Sequence, residues 1–182
     1  MEQKDYKSEI VEELLHEESH ARAIAKKLNI NHMIAVRKLK ELLVENVVDF
    51  KENGKNKTFY LKKTIEAKIC IFNAEHYKLV KLLKQYPVLR SIFEKIQKNK
   101  EIKLALLFGS YAKGLAEKSS DIDIFIETNN RNLKKELESI NTKLNVKIGK
   151  FVLLSILAKE IIKNHAVIKG IEEFYERINF FE

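Results

Sequence analysis

Residues 104–127, LALLFGSYAKGLAEKSSDIDIFIE, constrain the fold more than any other stretch of this 182-residue chain. An apolar run, Leu104 to Phe108, breaks at Gly109-Ser110, and a polar loop leads to a second apolar run that opens with Asp121 and Asp123. The chain has only four Asp, so two of them one residue apart at the head of a strand call for a reason. Alternation along a strand sets Asp121 and Asp123 on one face and Ile122, Ile124 and Ile126 on the other. Paired carboxylates raise each other's pKa unless a cation lies between them, and a hard divalent ion such as Mg2+ suits two carboxylate oxygens. Gly109 allows a sharp turn and a close approach to bare amides, while Ser110 adds a hydroxyl. A helix starting there would favour an anion such as a triphosphate. Phosphate on one side and metal on the other describe a nucleotide site.

Gly109-Ser110, the ten residues Tyr111 to Ser120 and Asp121-Ile122-Asp123 follow one family's pattern of Gly-Ser, loop and Asp-x-Asp. By these residues the chain resembles the nucleotidyltransferases of the DNA polymerase beta superfamily, in its minimal nucleotidyltransferase branch. The resemblance implies transfer of a nucleoside monophosphate from an NTP to an acceptor. Asp121 and Asp123 are then the catalytic and Mg2+-holding residues, and Gly109, Ser110 and Lys113 the nucleotide-binding ones. Many members carry a third carboxylate on a following strand, here near Asn145-Val146-Lys147-Ile148, where Lys147 is the match. A cation there leaves three outcomes: weakened one-metal chemistry, nucleotide binding without chemistry, or an acidic ligand from elsewhere. Glu127 shares the Asp face by parity but lies ~13 Å along the strand from Asp123, and is read as a solvated strand end.

Charge is uneven along the chain. The net charge is +8, yet Met1 to Ser19 carries net −5 and His20 to Lys63 net +7. The second block is a candidate nucleic-acid footprint. Apolar periods predict a helix over Ser8 to Glu18, a second capped by Ser19 over His20 to Leu28, and a third capped by Asn31 reaching about Glu45. Two strands, Val47 to Lys51 and Lys57 to Leu61, then flank Asn53-Gly54 as a hairpin. This order resembles a winged helix-turn-helix. It implies that His32, Met33, Val36, Arg37 and Lys40 face double-stranded DNA, with Lys51, Lys55 and Lys57 as a basic wing on phosphates.

The fold expected is α+β: a winged helix-turn-helix over residues 1–63, a helical connector over 64–87 and a nucleotidyltransferase α/β domain with a small mixed sheet over 88–182. The connector region holds helical patterns near Ala74 to Gln85 and Val88 to Lys98, split by Tyr86-Pro87. Its Leu and Ile positions exceed what a tether needs, which leaves homodimer pairing and burial within one chain both open. Later come a helix over Arg131 to Leu144, a strand over Val146 to Leu154, a short helix over Leu157 to Asn164, then His165 to Ile168 and a closing helix from Glu172 to Arg177.

No run is long enough for a membrane span and no signal pattern opens the sequence. With Cys70 as its one cysteine, the chain forms no internal disulfide, which fits a cytoplasmic protein with a buried structural thiol. The five His are scattered without metal-ligand spacing. Three functional readings follow. One is a DNA-binding nucleotidyltransferase of unknown acceptor. Another is a nucleotide-sensing or inactive DNA-binding regulator. The third is an antitoxin-like protein with a toxin partner that it binds or modifies.

Overall fold

The computed structural model describes residues 4–54 and 56–182. They fall into two compact units, one running to Tyr77 and taking in Phe181 and Glu182, the other Lys78–Phe180. The change of unit lies inside a helix, within the stretch read as a connector.

In the first unit α1 (Tyr6–His16), α2 (Ala21–Lys27) and α3 (His32–Val44) precede the hairpin β2 (Val48–Asn53) and β3 (Asn56–Leu61). Asp5 caps α1 through the amides of Lys7 and Ser8, and Asn31 caps α3 through Met33 N–H at 2.8 Å. The helices close on Ile10, Val11, Leu14, Ile24, Ala35, Leu39 and Leu42, the apolar period seen in the sequence. Asn46 ends α3 with φ +62, a left-handed position that Asn tolerates and where Gly is more usual. This is the winged helix-turn-helix order, completed by a third strand. Ser19 does not cap α2. With His20 it forms β1 (Ser19–His20), opposite Phe59 and Thr58 of β3, because the extended backbone entering α2 finds the free edge of the hairpin.

The helix α4 (Ile65–Gln85) is continuous over 21 residues and begins well before Ala74. Thr64 starts it: its hydroxyl accepts from Ala67 N–H and donates to the Asn46 carbonyl. Within the first unit α4 buries Ala67, Ile71 and Ala74. Cys70 is half-buried, and burial pushes its thiol pKa up, so it stays protonated and poorly nucleophilic.

The second unit holds α5 (Leu89–Lys98), β4 (Leu104–Phe108), the single turn α6 (Gly109–Ala112), β5 (Ile122–Glu127), α7 (Asn132–Glu138), β6 (Leu144–Ile148), α8 (Ile156–Lys163), β7 (Ala166–Lys169) and α9 (Ile171–Arg177). Its sheet has the order β6-β5-β4-β7 and is mixed: β5 and β6 are parallel and the other pairs antiparallel. Strand β4 is buried at every residue, as expected for an inner strand covered on both faces. Ile122, Ile124 and Ile126 share a core with Leu89, Ile92, Leu133, Leu137 and Val146. Burial of each such side chain contributes roughly 2 kcal/mol. Phe125 faces the other way and begins an aromatic chain through Phe151 and Phe174.

Two elements are shorter than periodicity implies. Helix α7 stops at Glu138, not at Leu144, because Ser139 bonds back to the Glu136 carbonyl and Asn141 Oδ1 accepts from Lys143 N–H in a local turn. Leu144 therefore opens β6, which ends at Ile148 rather than Leu154. Glu127 is not a solvated strand end: it accepts from Arg177 at 2.8 Å and from Phe151 N–H at 3.3 Å, tying α9 to β5.

Gly170, at φ +81, starts α9 so tightly against the chain that a Cβ would land on the Lys103 carbonyl oxygen. Gly170→Ala is expected to cost at least about 2 kcal/mol in urea unfolding. Gly149→Ala, where a Cβ would meet nothing within 4 Å, should stay within about 0.5 kcal/mol.

Candidate active site

Strand register assembles the site. Asp123 stands opposite Phe108 on β4 and Asn145 on β6, so its carboxylate lies between the end of one neighbouring strand and the start of the other. Gly109 follows Phe108 directly and turns with φ +72. A Cβ at Gly109 would sit 2.8 Å from Asp123 Oδ2, so the Asp-bearing strand and the Gly-Ser turn meet at van der Waals range only because Gly109 has no side chain. On the other side Asn145 Nδ2 donates to Asp123 Oδ1 at 2.7 Å.

Asp121 immediately precedes β5 and is exposed, with fully buried Ile122 between it and Asp123. Ile122 N–H donates to the Lys143 carbonyl at 2.8 Å, which holds this strand start against the turn before β6. Ser110 is half-exposed in the first turn of α6, and Lys113 is exposed at its C-cap. Helix α6 spans only four residues, so its dipole is small; what it offers an anion is the set of first-turn amides without intrahelical partners.

Two residues that the sequence did not mark as functional hold the loop after α6. Gln85 donates to the Gly114 carbonyl at 3.0 Å, and the Tyr86 hydroxyl accepts from Ala116 N–H at 3.1 Å. The Tyr86 ring also packs edge-on against Tyr111 at 4.8 Å. Their only sequence signal is a position just before Pro87, where a helix ends.

The neighbour of the Asp pair on β6 is Asn145, not Lys147. Lys147 pairs in register with Phe125, two residues or ~7 Å further along, and is exposed. Asn145 and Lys147 share a face by alternation, so parity alone could not choose between them. Among the described residues no three His, Cys, Asp or Glu side chains converge as a metal-ligand group. The oxygen donors present are the carboxylates of Asp121 and Asp123. Such a hard-oxygen pair fits an ion that keeps waters and takes further ligands from substrate phosphates.

A second surface lies on α3. His32, Met33, Arg37 and Lys40 are exposed and Val36 half-exposed along one side. Met33, Ile34, Val36, Arg37 and Lys40 line a hollow of about 370 Å³. On the hairpin, Lys57 lies 3.8 Å over the Phe50 ring and 3.8 Å from Glu52, while Lys51 bonds to Glu18 at 2.8 Å. Lys55 is outside the described residues. The positive block is thus partly answered in space: Lys27 meets Glu13 and Glu17, and Lys38 meets Glu41. Among the described residues no helix is long and apolar enough to cross a membrane.

Residues 90–174 match the family described as polymerase beta, nucleotidyltransferase. A 68-residue stretch is 47% identical to a Methanocaldococcus jannaschii protein provisionally assigned as a protein adenylyltransferase. That stretch covers 37% of this chain and only about half, 55%, of the relative. Among solved structures, the adhesin competence repressor of Streptococcus pyogenes aligns at 19% identity and TM-score 0.41, over 48% of this chain and 66% of that one. A toxin–antitoxin complex with AMP-PNP aligns at 19% identity and TM-score 0.36, over 57% of this chain and 80% of that one. The match to the polymerase beta, nucleotidyltransferase family thus takes in the Gly109-Ser110 turn, the strand with Asp121 and Asp123, and Asn145.

Proposed function

We propose that the protein transfers a nucleoside monophosphate from an NTP to an acceptor hydroxyl. The observation that carries this is the contact of Asp123 with Gly109 on one side and Asn145 on the other. A triphosphate laid along the Gly109-Ser110 turn would meet the first amides of α6 and the Ser110 hydroxyl, with exposed Lys113 near the loop for its terminal charge. Asp121 and Asp123 would hold Mg2+, which when bound neutralises charge developing on the phosphates. The acceptor oxygen attacks the α-phosphorus, the bond from that phosphorus to the bridging oxygen breaks, and pyrophosphate leaves. Asn145 fixes Asp123 Oδ1 by its amide donation and keeps Oδ2 directed at Gly109. With no third carboxylate converging among the described residues, the hydroxyl proton passes to water. That same lack supports a second reading, a DNA-binding regulator that senses nucleotide without turning it over.

The exposed α3 side supports duplex DNA as a partner for the first unit. Arg37 and Lys40 are its cations, and Met33 and Val36 supply apolar contact for base edges. Lys57 would add phosphate contact after release from Glu52.

Label transfer decides between turnover and sensing. With labelled NTPs and Mg2+ in cell lysate, the wild type should label an acceptor, and Asp121→Ala/Asp123→Ala should lower labelling at least about 100-fold; transfer that persists in the double variant ends the enzyme reading, and nucleotide binding without transfer selects the regulator. The identity of the Asp neighbour has its own measurement, free Mn2+ by spin resonance with a non-hydrolysable NTP. Asn145→Asp should tighten Mn2+ about tenfold and Lys147→Ala should change it by less than about twofold. The reverse ranking would restore Lys147 to the Asp pair. For DNA, affinity should fall steeply with salt, and Arg37→Ala or Lys40→Ala should each flatten the slope by about one. A flat response from the wild type removes DNA as a partner of this face.

A further inference from the structure

The outer edge of β6 offers a second binding surface in the catalytic unit. Strand β6 ends the sheet, with β5 on one side and no strand among the described residues on the other. The ladder to β5 uses alternate residues: Lys143 accepts from Ile122 N–H at 2.8 Å, and Gly149 N–H donates to the Ile126 carbonyl at 3.3 Å. Peptide groups of the intervening Leu144, Val146 and Ile148 must therefore point outward. One of them shows this directly, since Val146 N–H donates to Glu138 Oε1 at 3.0 Å. Beyond it, the Val146 carbonyl and both peptide groups of Ile148 face away from the sheet.

A cavity of about 500 Å³ opens at this edge, lined by Val146, Lys147 and Ile148 of β6, Arg131 at the N-cap of α7, Lys134 within α7, and Leu157 of α8. Three cations surround it and Glu138, 3.6 Å from Lys134, offsets one of them. The segment leading into Leu157 exposes apolar side chains: Val152 at 52%, Leu154 at 84% and Ile156 at 87%. Cations alone would suit any polyanion. Outward backbone groups and the apolar lining of Val146, Ile148 and Leu157 suit an extended polypeptide, which bonds to a sheet edge through its main chain and fills pockets with alternate side chains.

We propose that the β6 edge docks an acidic, extended segment of a protein by strand addition. Carboxylates on one face of that segment meet Arg131, Lys134 and Lys147, and its backbone exchanges hydrogen bonds with Ile148 and the Val146 carbonyl. The docked strand lies about two strand spacings, ~10 Å, from β5. Resting on the transfer reading for its purpose, this site assigns the acceptor as a protein whose modified hydroxyl flanks an acidic strand.

The test uses the full-length protein and a fluorescein-labelled peptide, Asp-Val-Asp-Tyr-Asp-Val-Asp, in fluorescence polarisation. Binding should be seen for this peptide and not for its Lys-for-Asp counterpart. Charge reversal at two exposed residues, Arg131→Glu/Lys147→Glu, should weaken it at least about tenfold. Hydrogen exchange followed by NMR should show the Ile148 amide protected when the peptide is added. Absence of binding overturns the proposal. So does displacement by a ten-nucleotide oligothymidylate or inorganic triphosphate with Ile148 left unprotected, which would make the cavity a phosphate site. Asp121→Ala/Asp123→Ala should bind the peptide as the wild type does. Peptide binding without label transfer thus removes the chemistry alone, and transfer without peptide binding removes the docking surface alone.

Discussion

The second unit depends on the fit of one carboxylate between two strands. One Asp123 carboxylate oxygen lies 2.8 Å from where a Cβ on Gly109 would stand, and Asn145 holds the other. Both neighbours are products of register: β4 must end opposite Asp123 for Gly109 to turn there, and β6 must start where it does for Asn145 to pair. The buried isoleucines of β5 lock that register, because a slip of one residue would bring Asp123 into the core and Ile122 or Ile124 to the site. Burial in one layer therefore positions charge in the next.

Electrostatics in the first unit follows a different logic. Along the chain the acidic N-terminal stretch and the basic block after it are separate, but folding pairs them, Lys27 with Glu13 and Glu17 and Lys51 with Glu18. Exposed pairs of this kind contribute little to stability. Their larger effect is to subtract charge from the surface, and the α3 side is not exempt: Lys40 is exposed there, while Arg37 lies 4.0 Å from Glu41. A segment-by-segment charge count overstates the field that a partner would meet.

Much of this is legible in the sequence. The caps at Asn31 and the Asn46 helix stop, the hairpin, the apolar face of β5 and the Gly-Ser to Asp-x-Asp spacing all rest on local rules that act over a few residues. Failures cluster where a distant partner outweighs the local preference. Ser19 has the chemistry of a cap but is drawn into a strand by β3; Leu144 fits the helix period of α7 but is claimed by β6 after Asn141 turns the chain. Glu127, polar at a strand end, is fastened by Arg177 some 50 residues away.

By itself the sequence determined the first three helices, the hairpin and the Gly-Ser to Asp-x-Asp spacing, because those follow from periodicity, backbone allowance and spacing along one strand. Tertiary structure alone decided that Asn145 rather than Lys147 adjoins the carboxylates, and that Gln85 and Tyr86 hold the loop after α6. It also decided that, among the described residues, β6 has a neighbouring strand on one side only and three cations by the other. Those outcomes depend on the register between strands far apart in the chain, and two residues on the same face of one strand differ only in what the neighbouring strand sets opposite them.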